Sequence, residues 1–134
     1  MLMAEVALLT IALLFGGTVL FSFGFAAFVF TSLPAETAGP LIRKAFPHFY
    51  LFVFFTSALG CALSLAFDLT STLILGTIAL TTVIARQIVT PAVNAATDLG
   101  AKGRFKALHS LSVLITLLHI ALAGIGIIRI GGAV

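Results

Sequence analysis

The chain has 134 residues, of which 61% are hydrophobic and 8% are charged, and its formal net charge is +3. Soluble domains are about 25% charged, so this chain has too little charge to cover a water-soluble exterior. Its many large apolar side chains exclude a disordered chain. The composition therefore predicts an integral membrane protein with a single domain, residues 1–134.

Four long apolar segments predict four transmembrane helices, because about 20 apolar residues are needed to cross about 30 Å of hydrocarbon. We place the spans at about 5–31, 47–67, 72–96 and 104–130. The connections between them are short, so consecutive helices are expected to be antiparallel neighbours. The predicted fold is an all-α, integral membrane, antiparallel four-helix bundle.

Local features divide the chain between these spans. In the first span Gly17, Gly24 and Thr31 recur at a spacing of seven, which predicts one small-residue face for a neighbouring helix. Residues 39–46 predict an interfacial helical segment whose first turn contains Pro40 and whose basic pair contacts lipid headgroups. Pro91 predicts a kink near the end of the third helix.

The basic residues predict the orientation of the bundle. Arg129 is near the end of the fourth span, whereas the other connections hold most of the basic charge. By the positive-inside rule both termini lie outside the cytoplasm. The expected partners are the bilayer and its anionic headgroups, and the charge gives no reason to expect nucleic acid. The basic residues of the cytoplasmic connections are Arg43, Lys44, Lys102, Arg104 and Lys106.

Arg86 is the one charge that the predicted spans do not place at a membrane surface. Arg86, Thr90 and Asn94 follow a spacing of four and form a polar stripe on the third helix. This stripe predicts a polar cavity open to the cytoplasm, with Arg86 at its floor to bind an anion or a carboxylate. The alternative is that Arg86 extends to the headgroups while Asn94 caps the helix or bonds between helices.

Two histidines are predicted near the same membrane surface. His48 begins the second span and His109 the fourth, where Ser112 follows one turn later. With Arg86 and Asn94 they would form the mouth of the cavity and act as a gate, as pH-sensitive groups, or as contacts for a haem edge. Alternatively both histidines are solvated at the interface. Their spacing matches no metal-binding motif, so no metal is predicted.

His119 is predicted near the middle of the bilayer, where an unpaired imidazole is costly. We expect a hydrogen bond from it to a threonine, a serine or a carbonyl of another helix. The alternative is haem ligation by His109 or His119. A pair of mid-membrane histidine ligands would then require a homodimer, because the chain has no second histidine at that depth.

The sequence shows no catalytic arrangement. It has no nucleotide-binding loop, zinc-binding pair or serine–histidine–acid set at a workable spacing. Its four acidic residues lie at predicted helix ends, and Cys61 is the single cysteine. We therefore expect no enzymatic activity, no catalytic residue and no bound cofactor, with haem as the alternative.

Three segments of the chain carry a family resemblance: Gly16-Gly17, Phe46-Pro47 and the run from Arg104 to Ser112. They resemble the bacterial members of a domain-of-unknown-function family that includes animal transmembrane protein 205. The resemblance spans nearly the whole chain, and Arg86, Asn94 and Asp98 lie where such proteins carry polar residues. It implies a four-helix protein of the bacterial inner membrane and assigns no molecular activity.

Two functional hypotheses follow from these residues. The first is binding or transport of a small solute or anion from a cytoplasm-facing polar cavity, with a homo-oligomer supplying a complete pathway. The second is an accessory subunit of a larger membrane complex, or a subunit that binds haem or a metal as a cofactor. A purely structural bundle is the third possibility.

Overall fold

The computed structural model describes residues 2–134, and within that range the chain forms four long helices and no strand. Each helix is long and apolar enough to cross a membrane, which confirms the predicted all-α helix bundle of an integral membrane protein. The four helices are α1 (Leu2–Ser32), α2 (Ala35–Ser64), α3 (Leu69–Asp98) and α4 (Lys102–Gly131).

The helices pack in sequence order: α2 lies against α1 and α3, and α4 lies against α3 and α1. The connections are too short to allow another order, because each leaves the next helix antiparallel to the one before. Every helix contributes apolar side chains to one buried core, with Ile11, Tyr50, Leu75, Ile78 and Ala123 among them.

Pro34 separates α1 from α2. Leu33 is extended, as expected before a proline, and the Pro34 carbonyl accepts hydrogen bonds from the backbone N–H groups of Thr37 and Ala38. This places the start of α2 at Ala35, well before residue 47. Residues 39–46 are therefore the first part of α2 and form no separate interfacial helix, and Pro40 lies in its second turn.

Asp68 organises the turn between α2 and α3. Its side chain caps α3 by accepting from the N–H and the hydroxyl of Ser71. The guanidinium of Arg129, from the end of α4, donates to both carboxylate oxygens at 3.2 and 3.0 Å. The hydrogen bonds from Arg129 and then from Ser71 lower the pKa of Asp68. One carboxylate thus joins three helices at this end of the bundle.

The turn between α3 and α4 is a Schellman motif around Gly100. Its N–H bonds to the Thr97 carbonyl at 3.1 Å, and the N–H of Ala101 bonds to the Ala96 carbonyl at 3.0 Å. Gly100 has φ of 67°, the left-handed conformation that favours glycine. A seven-residue connection is thereby reduced to a turn.

Two helices contain a π-helical turn, Leu20–Phe25 in α1 and Ala85–Val89 in α3. The second lies just before Pro91, and in it the Thr90 N–H bonds to the Ala85 carbonyl. A π turn widens the helix next to a proline that cannot donate a backbone hydrogen bond. The chain therefore accommodates Pro91 without ending α3.

The π turn of α1 breaks the predicted small-residue face. A Cβ on Gly17 would lie 2.6 Å from ring carbons of Phe52, so α2 does approach closely there. Gly24 and Thr31 are exposed instead. The prediction that all three share one face is wrong, because a π turn adds a residue and rotates everything that follows it.

Candidate functional site

A cleft of about 860 Å³ lies at one end of the bundle, where the second half of α1 and the first half of α4 face each other and the start of α2 and the end of α3 complete the lining. Helices α1 and α4 are in tight contact further along, where a Cβ on Gly126 would lie 2.3 Å from the δ-methyl of Ile11. From its π turn onward, α1 packs on α2 instead. Phe21, in the turn, stacks on Phe49 with ring centroids 4.1 Å apart, and Val29 packs with Ala38 and Ile42. The cleft lies where α1 and α4 are no longer in contact.

The cleft has mostly apolar walls, with polar side chains from three helices among them. Its charged groups are Glu36 and Arg43. Aromatic and aliphatic side chains form most of the surface, including Phe23, Phe30, Phe46, Phe105, Val113 and Leu117. The other polar side chains are Ser22, Thr90, Asn94, Thr97, His109, Ser112 and Thr116.

The cleft lies at the end of the bundle that holds Arg43, Lys44, Lys102 and the turn at Gly100, here called the basic end. Helices of 30 residues are about 45 Å long, whereas the hydrocarbon core is about 30 Å thick. At the opposite end the charge of Asp68 follows closely on the apolar residues. If the hydrocarbon core begins next to Asp68, the excess length falls at the basic end, and the cleft would span the headgroup level and the hydrocarbon just beneath it.

Arg43 is bound to Asp98 at the rim of the cleft. Its two terminal nitrogens donate to the two carboxylate oxygens at 2.8 and 3.0 Å. This bidentate pair ties α2 to the end of α3 and compensates the arginine charge. Sequence reasoning assigned Arg43 only to the headgroups. Its role at the rim depends on a partner 55 residues away in the chain.

Four of the predicted site residues line the cleft together: Thr90, Asn94, His109 and Ser112. The His109 ring stacks on Phe105 with centroids 5.4 Å apart and planes 10° apart. Spacing on α3 and on α4 identified these residues, because each pair lies one turn apart on its helix. Their assignment to a ligand remains a prediction.

His48 lies outside the cleft. Its side chain is exposed, while the adjacent Phe49 and Tyr50 are buried. Because α2 begins at Ala35, His48 is well inside a helix whose opposite face meets the bundle. The predicted convergence of His48 with His109 is therefore not what the structure has.

Arg86 is not at the floor of the cleft either. Its Nε donates to the Pro47 carbonyl at 3.3 Å and its Nη1 to Gln87 Oε1 at 3.3 Å. It borders a separate pocket of about 180 Å³ between α2 and α3. Tyr50 also borders that pocket, and its hydroxyl lies 3.3 Å from Ser112 Oγ. The buried tyrosine thus stands between Arg86 and the cleft.

His119 makes the expected structural hydrogen bond. It is 5% exposed, and its Nε2 lies 2.7 Å from the Thr81 hydroxyl oxygen. It is not among the residues that line the cleft. Within residues 2–134, no three histidine, cysteine or acidic side chains come together as a metal site.

These features define an integral membrane protein built as a four-helix bundle, with a cleft at its basic end. Residues 9–102 match the model of a family described as Domain of unknown function (DUF4149), and the chain belongs to that family. The match confirms the resemblance at the level of a domain-of-unknown-function family. No curated protein and no solved structure matches the chain.

Proposed function

We propose that this protein binds a small amphipathic molecule in the cleft between α1 and α4 and takes part in its movement between the membrane and the cytoplasm. The observation that carries the proposal is the lining, which combines apolar walls with hydrogen-bonding side chains in one space. We expect this space to open sideways between α1 and α4. The volume of the cleft lies within the range of small-molecule binding sites, which is about 300–1,000 Å³. A water-soluble ligand would have no use for a lateral opening or for phenylalanine walls.

The charges favour a polar but uncharged or weakly charged end on the ligand. Arg43 is compensated by Asp98, and Arg86 lies in a different pocket. Glu36 adds negative charge at the cleft. The anion that the sequence suggested would thus find no free cation among the described lining residues. The Asn94 amide and the Ser112 hydroxyl are suited to hydrogen-bond a hydroxyl, amide or carbonyl group.

The orientation and the cellular context belong to the same proposal. The basic end faces the cytoplasm by the positive-inside rule, so the cleft would open toward the inner leaflet of a bacterial inner membrane. Kinship with animal transmembrane protein 205 is proposed on the residue pattern alone. Because one bundle of four helices leaves no room for a second opening, movement across the bilayer would use a homo-oligomer.

Filling the cleft tests the proposal. Val113 lines it and is 43% exposed, so Val113→Trp puts an indole into the open space at little cost to packing. Leu114 is 53% exposed and is not a lining residue, so Leu114→Trp is the matched control. The probe is a dansyl-labelled fatty alcohol, whose polar end is an uncharged hydroxyl, and wild type and Leu114→Trp should show saturable fluorescence enhancement. Val113→Trp should bind at least about tenfold more weakly, the loss expected for about 1.4 kcal/mol of lost contact.

Equal binding by the two tryptophan variants would overturn the proposal. A haem absorption band in protein purified from haem-replete cells would replace it with the cofactor-binding alternative. The observation that favours this alternative is that His109 borders a space with apolar walls. His109→Ala should then abolish the band.

A further inference from the structure

The pocket at Arg86 contains a cation without a counter-ion. The guanidinium donates to the Pro47 carbonyl and to the Gln87 amide oxygen, both uncharged acceptors. Among residues 2–134, the ion pairs that arginines form with carboxylates are those of Arg43 and Arg129. An arginine has five N–H donors and keeps its charge, so most of the donor capacity of Arg86 is left for a ligand.

Arg86 lies within the hydrocarbon core, a few residues from the boundary at the basic end. It is 17 residues from the start of α3 at Leu69, or about 26 Å along the helix, in a hydrocarbon core about 30 Å thick. A charge at that depth is costly unless it draws a polar partner down from the headgroups or extends toward them. The nearest abundant anion at that level is a lipid phosphate.

The walls of the pocket fit a lipid chain. Besides Arg86 and Gln87 they include Leu51, Phe54, Phe55 and Val83. Phe55 is 64% exposed and Val83 42% exposed, so this groove lies on the outer surface of the α2–α3 pair, where the bilayer contacts it. A free phosphate would use the arginine but not these walls.

We propose that the groove between α2 and α3 binds an anionic phospholipid, with its phosphate on Arg86 and an acyl chain along Phe54, Phe55 and Val83. The site is separate from the cleft and does not depend on the function proposed for it. Tyr50 connects the two regions physically, because it borders the Arg86 pocket while its hydroxyl contacts Ser112.

Tyr50 also supplies the test, because the chain has one tyrosine and no tryptophan. The tag-free protein is reconstituted in vesicles that contain phosphatidylglycerol or phosphatidylcholine with brominated acyl chains. Bromine quenches tyrosine fluorescence only at short range, and the buried Tyr50 borders the Arg86 pocket, so it reports a lipid chain seated in that pocket. In wild type the anionic lipid should quench Tyr50 more strongly. The quenching curves should give an about fivefold preference for it, the contribution of one basic residue near an anionic surface.

Arg86→Gln should abolish the preference, whereas Arg86→Lys should keep it. Lys44→Gln, which removes an exposed cation from the basic end, should also keep it. Equal quenching by the two lipids in wild type would overturn the proposal without any variant. So would equal losses in Arg86→Gln and Lys44→Gln, which would mean general surface charge. Inorganic phosphate at constant ionic strength should not change the quenching; if it displaces the lipid, the site takes a free anion and the lipid assignment is wrong.

Discussion

At the residue scale, a hydrogen bond to Thr81 supplies the partner of the buried His119. The Thr81 hydroxyl oxygen lies 2.7 Å from the Thr77 carbonyl and 2.7 Å from His119 Nε2. When the hydroxyl donates its one hydrogen to the carbonyl it accepts from an Nε2–H, and in the other tautomer it donates to Nε2. This bond joins α3 to α4 in the part of the bundle far from water. Each side chain therefore supplies the hydrogen-bond partner that the other cannot obtain from solvent.

Thr81→Val should lower the free energy of unfolding by about 0.6 to 1.7 kcal/mol, the range for interhelical hydrogen bonds in membranes. Valine has nearly the shape of threonine but leaves His119 Nε2 without its hydrogen-bond partner. The measurement is the unfolding equilibrium in mixed detergent micelles. Thr77→Val is the control, because the Thr77 hydroxyl bonds only to its own helix at Leu73. If the two variants lose equal stability, the interhelical bond contributes nothing of its own.

Arg86 shows that the sequence can predict the need of a charged side chain for a partner but not the direction in which that side chain points. The sequence indicated Arg86 as a charge that needs a partner, and the structure leaves it without a carboxylate. The sequence could not indicate the direction of the Arg86 side chain. A spacing of four places Arg86 and Thr90 on one face of an α-helix, but here the π turn Ala85–Val89 lies between them and changes their relative direction. The α2 carbonyl that Arg86 meets, that of Pro47, comes from 39 positions away.

At the element scale, the cleft depends on how α1 crosses α4. Close contact at Ile11 and Gly126 holds the helices together on one side of the π turn in α1, and packing on α2 leads the rest of α1 away. Small residues permit such an approach between membrane helices. Pro91 marks the π turn of α3 in the sequence. The π turn of α1, Leu20–Phe25, contains no proline, so the sequence does not indicate it, although it is equally important for the shape of the cleft.

Gly126→Leu should therefore separate α1 from α4 and destabilise the bundle by about 1–3 kcal/mol, the usual cost of overpacking. The leucine side chain would occupy the position of the Ile11 δ-methyl. Gly131→Leu is the matched control on the same helix, since a Cβ there meets nothing within 4 Å. Unfolding in mixed micelles compares them, and equal stability of the two variants would mean that α1 and α4 are not held at this contact.

At the scale of the whole molecule, an ion pair lies at each end of the bundle. Asp68 with Arg129 joins the α2–α3 turn to α4, and Arg43 with Asp98 joins α2 to the end of α3. The pairs leave the unpaired basic residues concentrated at one end. That asymmetry is what the positive-inside rule uses, so the proposed orientation can be tested without knowledge of any ligand.

With Cys61→Ser as the background, Gly103→Cys should react with a membrane-impermeant maleimide only after bacterial cells expressing the protein are permeabilised. Thr70→Cys should react in intact cells. Gly103 has open space around it, and both positions are exposed at opposite ends of the bundle. The reverse pattern would place the basic end and its cleft outside the cytoplasm.

The sequence by itself determined the class of the protein. Its few charges lie at the ends of long apolar segments. Such segments cross the hydrocarbon as helices, because a helix satisfies all of its backbone hydrogen bonds within the segment. The same pattern determined the helix order and placed Asn94, Thr90, His109 and Ser112 near one end of the bundle. Only the tertiary structure decided which of these polar residues meet. That decision depends on two π turns and on the tight contact at Gly126, which set the rotation and separation of whole helices. The small number of charges and their positions therefore predicted the bundle. The packing of α1 formed the cleft, and Arg86 lies outside it.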